Sequence, residues 1–211
     1  MTALIFISLL AFAFLLLILV KFLELSGFSK IDAFAILLVS PLTAFLPPVK
    51  FAEFGEMGIY LSISGFIIPF LVCIRQFSSG KVSLKKALPG IAILTAISYL
   101  ISHPESDGVG VSHPLLPVLV AVIYSMLVER DSSFSSGSSS CPSCLAYVCA
   151  TLGMFLGADV LHLSSMERLT SSVTIGGAGI FDAVYMSGFI AVLFDSMLIS
   201  IRKLLKRGRE N

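Results

Sequence analysis

Two aspartates flank a glycine-rich turn in the stretch TLGMFLGADVLHLSSMERLTSSVTIGGAGIFDAVYMSGFIAVL, Thr151 to Leu193. Asp159 and Asp182 lie inside or beside segments otherwise apolar enough to be buried in lipid. An ionisable side chain at such a depth costs roughly 2.5–3.5 kcal/mol on insertion scales and marks a functional site by default. Two carboxyls that share a low-dielectric site cannot both ionise easily, so one keeps a proton and the pair offers a base and an acid together. That is the chemistry of aspartyl hydrolases, in which one carboxylate activates water and the other protonates or stabilises the product oxygen. The same acids would equally serve a transporter or channel that moves protons or cations. A structural or assembly protein would use them only as helix caps, Asp182 in the first turn of its helix and Asp159 near an end that reaches water.

The residues around Asp182 extend the chemical reading. Gly176, Gly177 and Gly179 in IGGAGIFD allow backbone conformations and close approach that other residues block. A helix starting there offers free N–H groups and a positive dipole end, suited to an anion, a peptide carbonyl or a developing oxyanion. Tyr185, on the same helical face as Asp182, is placed to donate a hydrogen bond to it. The tip of the hairpin falls near residues 170–171. The two aspartates are nearly equidistant from it, which in an antiparallel helix pair gives them similar depth. Gly153 and Gly157 form a GxxxG pattern on nearly the opposite face from Asp159, which reads as helix packing. Asp195, deeper in the last apolar segment, reads as a satisfied or snorkelling charge, and Asp32 as a helix cap.

Histidines and cysteines give weaker constellations. His103, His113 and His162 fall on one predicted side with Glu105 and Asp107, and imidazoles with carboxylates are zinc-type ligands. No HxxxH or HExxH spacing supports a metal site, however, and no cofactor is expected. Cys141 and Cys144 form a CxxC at a helix start, where thiol exchange or, with Cys73 and Cys149, metal binding is conceivable. Their predicted cytoplasmic side makes reduced, unpaired thiols the default expectation.

The elements that must position these residues follow from composition. The chain has 211 residues, of which 56% are hydrophobic and 13% charged, with a mean hydropathy of +0.99. Soluble domains carry about 25% charged residues, so the bilayer must be the solvent and the main partner. Nothing points to nucleic acid, and a peptide or a small ion is the substrate such a site would take. A bilayer core takes roughly 20 helical residues. Seven candidate spans result: 2–20, 32–49, 58–75, 88–102, 114–128, 145–163 and 179–201. The first has no basic n-region or small-residue cleavage site, so it reads as a span rather than a signal peptide. The second contains Pro41, Pro47 and Pro48 and either spans with a kink or re-enters. With the N-terminus outside, every Lys and Arg except Lys50 and Arg168 falls inside, as the positive-inside rule requires. The expected fold is therefore an all-α, multi-pass bundle in the cell membrane, forming one domain over 1–211, N-terminus out and C-terminus in. A Ser-rich loop, DSSFSSGSSS (131–140), sits within the cytoplasmic segment 129–144, and the basic tail RKLLKRGREN anchors the end near anionic lipid.

The motifs DGVGVSHPLLPVLVAVI, TLGMFLGADVLHL and IGGAGIFDAVYMSGFIAVLF resemble the domain-of-unknown-function family 1614, small polytopic membrane proteins of archaea and bacteria. The resemblance covers roughly residues 103–196. It implies a membrane protein and assigns no activity. A fainter likeness is to the GxGD aspartyl peptidases of membranes, which also set one acid on a helix and another after glycines. GAGIFD departs from that pattern by placing two residues between the second glycine and Asp182.

Overall fold

In the computed structural model, which describes residues 2–105, 108–132 and 141–210, the apolar runs fold into helices that return on one another. The helices are α1 (Thr2–Leu25), α2 (Lys30–Phe34 continued through Ala35–Val39 to Ser40–Thr43), α3 (Ile63–Ser78), α4 (Leu84–Ile101), α5 (Leu115–Ser132), α6 (Pro142–Met166) and α7 (Ala183–Glu210). They match the seven apolar segments in order. Among the described residues, three stretches, α4, α6 and Ala183–Ile201 of α7, are long and apolar enough to cross a membrane. α3 and the Leu115–Val128 part of α5 are apolar but shorter. Asp107, residues 133–140 of the Ser-rich loop and the side chains of the basic tail from Arg202 lie outside the described residues.

α6 is the central post. Every residue from Ser143 to Thr151 is buried, because α6 packs against α4, α5 and α7 at once. Its small residues allow this. A Cβ on Gly153 would stand 2.3 Å from Leu94 Cβ, and one on Gly157 would stand 2.3 Å from the Thr95 carbonyl oxygen. The GxxxG face therefore seats α4, as expected for small residues at a membrane helix interface. α7 runs antiparallel to α6, with Ser143 bonded to Asp195 at one end and Ser187 to the Ala150 carbonyl further along.

Two prolines shape the flanking helices. In α2, Ala35–Val39 forms a π-helical turn in which the Ser40 N–H bonds to the Ala35 carbonyl. The next residue, Pro41, has no N–H to give, so the Ile36 carbonyl has no partner within its helix. The Tyr185 hydroxyl supplies one at 2.8 Å. α3 repeats the device. Its first turn, Ile63–Ile67, is π-helical, with the Ile68 N–H bonded to the Ile63 carbonyl. Pro69 then leaves the Ser64 carbonyl free, and the Ser40 hydroxyl takes it. Both free carbonyls become interhelical links, which is how proline is tolerated in buried helices.

The expectation of an all-α fold is corrected by five short strands. β1 (Val49–Phe54) and β2 (Met57–Leu61) pair antiparallel around Gly55, whose φ is +60°. β5 (Ser172–Ile175) joins β2 in parallel. β3 (Ser102–Glu105) and β4 (Gly108–Val111) form a separate hairpin. The segment 58–75 therefore begins as a strand, and 32–49 ends as a helix at Thr43 before the chain turns into β1. Hydropathy alone does not separate a short apolar strand from a helix end. All five strands lie at one end of the bundle. At the other end the turn after α1 receives Lys81, whose Nζ bonds to the Gly27 carbonyl, and Arg75, which pairs with Asp32 at 2.9 Å. Asp32 caps α2 as expected, from the N3 position of a capping box whose N-cap is Ser29. The bundle thus has a sheet end and a basic end.

Candidate functional site

A cavity of about 880 Å³ opens at the sheet end, and both Asp159 and Asp182 line it. Its walls come from β4, the first turn of α5, the last turns of α6, β5 and the start of α7. Val118, Val184 and Ile190 line it with apolar side chains, and Thr170, Ser172, Thr174 and Ser187 add hydroxyl-bearing ones. Neither Lys, Arg nor His is among the lining residues. Among the described residues the wall therefore carries two carboxyls and no basic side chain to neutralise them.

Asp182 is fixed by the helix it begins. The chain leaves a 3₁₀ turn at Gly179–Phe181, becomes extended at Asp182, and enters α7 at Ala183. Asp182 Oδ1 accepts the Val184 N–H at 2.9 Å, so Asp182 acts as N-cap. Its residue precedes the apolar part of α7. Burial pushes the carboxyl up to about 6, and the N–H groups of Val184 and Ala178 hold it from rising further.

Asp159 is presented differently. It closes a π-helical turn, Phe155–Asp159, where the Val160 N–H bonds to the Phe155 and Leu156 carbonyls. Such turns rotate the following side chains relative to a regular helix. Asp159 Oδ2 is buried without a hydrogen-bond partner. Asp182 lines the same cavity, yet no hydrogen bond joins the two carboxyls.

The remaining candidates separate. Of the three glycines, only Gly177 lines the cavity. Gly176 and Gly179 have φ of +72° and +62°, and the loop they shape lies directly on α3. A Cβ on Gly65 would come 2.2 Å from the Gly176 carbonyl oxygen. The glycines thus serve a tight backbone crossing, and the N-terminus they were expected to leave open is capped by Asp182. Tyr185 does not reach Asp182; its hydroxyl is spent on the Ile36 carbonyl.

The histidines are dispersed. His103 pairs with Glu105 on the β3–β4 hairpin at 2.9 Å, and His113 is exposed before α5. His162 is buried, its Nδ1 lying 3.1–3.2 Å from the Gly157 and Ala158 carbonyls and its ring against Tyr99. Among the described residues no three His, Cys, Asp or Glu side chains gather as a metal site would require. Cys141 and Cys144 form a disulfide, against the expectation of reduced thiols, while Cys73 and Cys149 are free and buried. The first two are brought together because Cys141 caps the first turn of α6 and Cys144 lies one turn on. Sequence reading missed the contribution of β4 and α5 to the cavity, since neither carries a residue whose chemistry would flag it.

No curated protein and no solved structure matches this chain. Residues 10–194 match the family described as "Protein of unknown function (DUF1614)", well beyond the C-terminal half where its motifs stand out. With that match over most of its length, and with helices able to cross a membrane, the chain belongs to the DUF1614 family.

Proposed function

We propose that the cavity at the sheet end is a cation-binding site in a multi-pass protein of the cell membrane, where Asp159 and Asp182 exchange a proton for a small cation. One observation carries the reading: Asp159 Oδ2 is buried without a hydrogen-bond partner in a cavity lined, among the described residues, by no basic side chain. An unpaired buried carboxylate oxygen is costly, and the cost is relieved by a proton or by a cation. Asp182, with its carboxyl at about 6, releases a proton near neutrality and so couples the two events. A hydrolytic dyad draws less support, because no hydrogen bond joins the carboxyls and one Asp182 oxygen is committed to the helix cap. The basic end, with Lys81 and Arg75, fits the cytoplasmic side under the positive-inside rule.

The test is proton release from purified protein in weakly buffered detergent near pH 6, on adding sodium chloride, potassium chloride or choline chloride. Release with sodium or potassium but not choline, lost in both Asp159→Asn and Asp182→Asn, is the expected result. Equal release by the variants, or none from the wild type with either cation, would overturn the reading.

A further inference from the structure

The cavity is larger than a bare cation requires. Sodium or potassium sits within one shell of oxygens, whereas about 880 Å³ is the size of a site that encloses a small organic molecule, roughly 300–1,000 Å³. Its wall is of two kinds. Asp159 and Asp182 supply the carboxyls, and each of the five elements around the space adds an apolar residue. These are Val109 from β4, Val118 from α5, Ala158 from α6, Val173 from β5, and Val184 and Ile190 from α7. The apolar lining is therefore shared among all the walls and is not one patch. Among the described residues no third carboxylate, imidazole or thiol joins the two acids to make a metal cage.

A metal ion held by Asp159 leaves those aliphatic side chains facing water. A primary ammonium on a hydrocarbon chain answers both kinds of wall. Its N–H groups have an acceptor in Asp159 Oδ2, which is buried without a hydrogen-bond partner. Its chain removes water from the valines and Ile190, and each methylene so buried tightens binding about fourfold. The wall also dictates what the ligand lacks. With no Lys, Arg or His among the described lining residues, a carboxylate or phosphate on the same molecule would meet only acids. Amino acids and phosphate-bearing amines are thereby disfavoured. Choline has no N–H to give and cannot make the first contact.

We infer that the acid-pair cavity takes a primary alkylammonium ion without an acidic group, its nitrogen on Asp159 and its chain along the apolar lining. The inference rests on the cation–proton exchange proposed for the cavity and names the organic cation which that exchange favours. The step is balanced. One carboxyl O–H of the acid pair breaks and its proton leaves for water, while the ammonium enters with its own protons and its positive charge intact. No bond of the amine changes, and no co-reactant is needed.

Proton release from full-length protein in weakly buffered detergent near pH 6, where simple alkylamines are fully protonated, tests the assignment. Titration with methyl-, propyl- and hexylammonium chloride is expected to reach half-release at successively lower concentrations, at least about thirtyfold lower for hexyl than for methyl. 1-Hexanol, the same chain without the charge, is expected to release nothing. 6-Aminohexanoate, a similar chain ending in a carboxylate, is expected to need at least tenfold more than hexylammonium. Leu115→Ser changes an exposed residue of the lining and is expected to shrink the hexyl-to-methyl ratio at least threefold. A ratio unchanged in Leu115→Ser assigns the chain to the detergent and overturns the inference. Equal half-release across the series, with release by sodium or potassium intact, overturns it as well and leaves the cavity reading standing. No release from the wild type by any of these cations removes the cavity reading and the inference together.

Discussion

Tyr185→Phe isolates one interaction with little change of shape. The phenyl ring occupies the same buried position, and only the hydroxyl that serves the Ile36 carbonyl is lost. A buried acceptor left unsatisfied costs about 1–3 kcal/mol. Interhelical hydrogen bonds in membranes average only about 0.6 kcal/mol, with a maximum near 1.7, because the separated helices find other partners. Here that escape is blocked. The Ser40 N–H is taken by Ala35, and Pro41 has no N–H, so the Ile36 carbonyl lacks an intrahelical donor whether or not α7 is docked. The expected penalty is therefore near the upper limit, about 1.5 kcal/mol. Pro41→Ala provides the missing N–H, and in that background the same substitution should cost under about 0.5 kcal/mol, a coupling of about 1 kcal/mol. Unfolding in mixed detergent–SDS micelles, followed by far-UV circular dichroism, measures all four proteins. An equal penalty in both backgrounds would refute the reasoning, as would a negligible one with Pro41 present. Because the hydroxyl is directed to α2, Tyr185→Phe should also leave cation-triggered proton release unchanged.

Two further outcomes follow from the geometry. Gly65→Ala places a methyl group 2.2 Å from the Gly176 carbonyl oxygen and 2.7 Å from that of Gly179. Backbone must move, and a loss of roughly 1–3 kcal/mol is expected in the same unfolding assay; a neutral variant would show that the Gly176–Gly179 loop does not sit on α3. Asp182, raised from 3.8 to about 6 by burial, binds more protons folded than unfolded between those values. Its contribution to stability is fully present below pH 3.8 and is lost as pH rises through 6. The wild-type unfolding temperature should therefore fall more between pH 5 and pH 7 than that of Asp182→Asn, and identical slopes would contradict the buried placement.

The number, order and apolar character of the helices were legible in the sequence, because bilayer burial leaves a long run of hydrophobic residues that no other setting tolerates. The GxxxG face was legible as well: Gly153 and Gly157 recur at helical spacing and seat α4. The equal spacing of Asp159 and Asp182 from the turn pointed to a helical hairpin, but residues 167–182 form strand β5 and a 3₁₀ turn instead of helix. What that spacing could not give was rotation. Only packing on α6 and the π-helical turn at Phe155–Asp159 set both acids in the wall of one cavity. The same limit explains the mistaken partner for Tyr185, whose hydroxyl is claimed by a carbonyl 149 residues away that a proline had left bare. Strands β1, β2 and β5 were hidden for a related reason: their pairing is between distant segments, and each is too short to print a period of its own. The sequence by itself determines which residues must leave water. Which polar groups then meet inside is decided by tertiary contacts, because a backbone or side-chain group without a local partner takes whichever distant one the packing brings within reach.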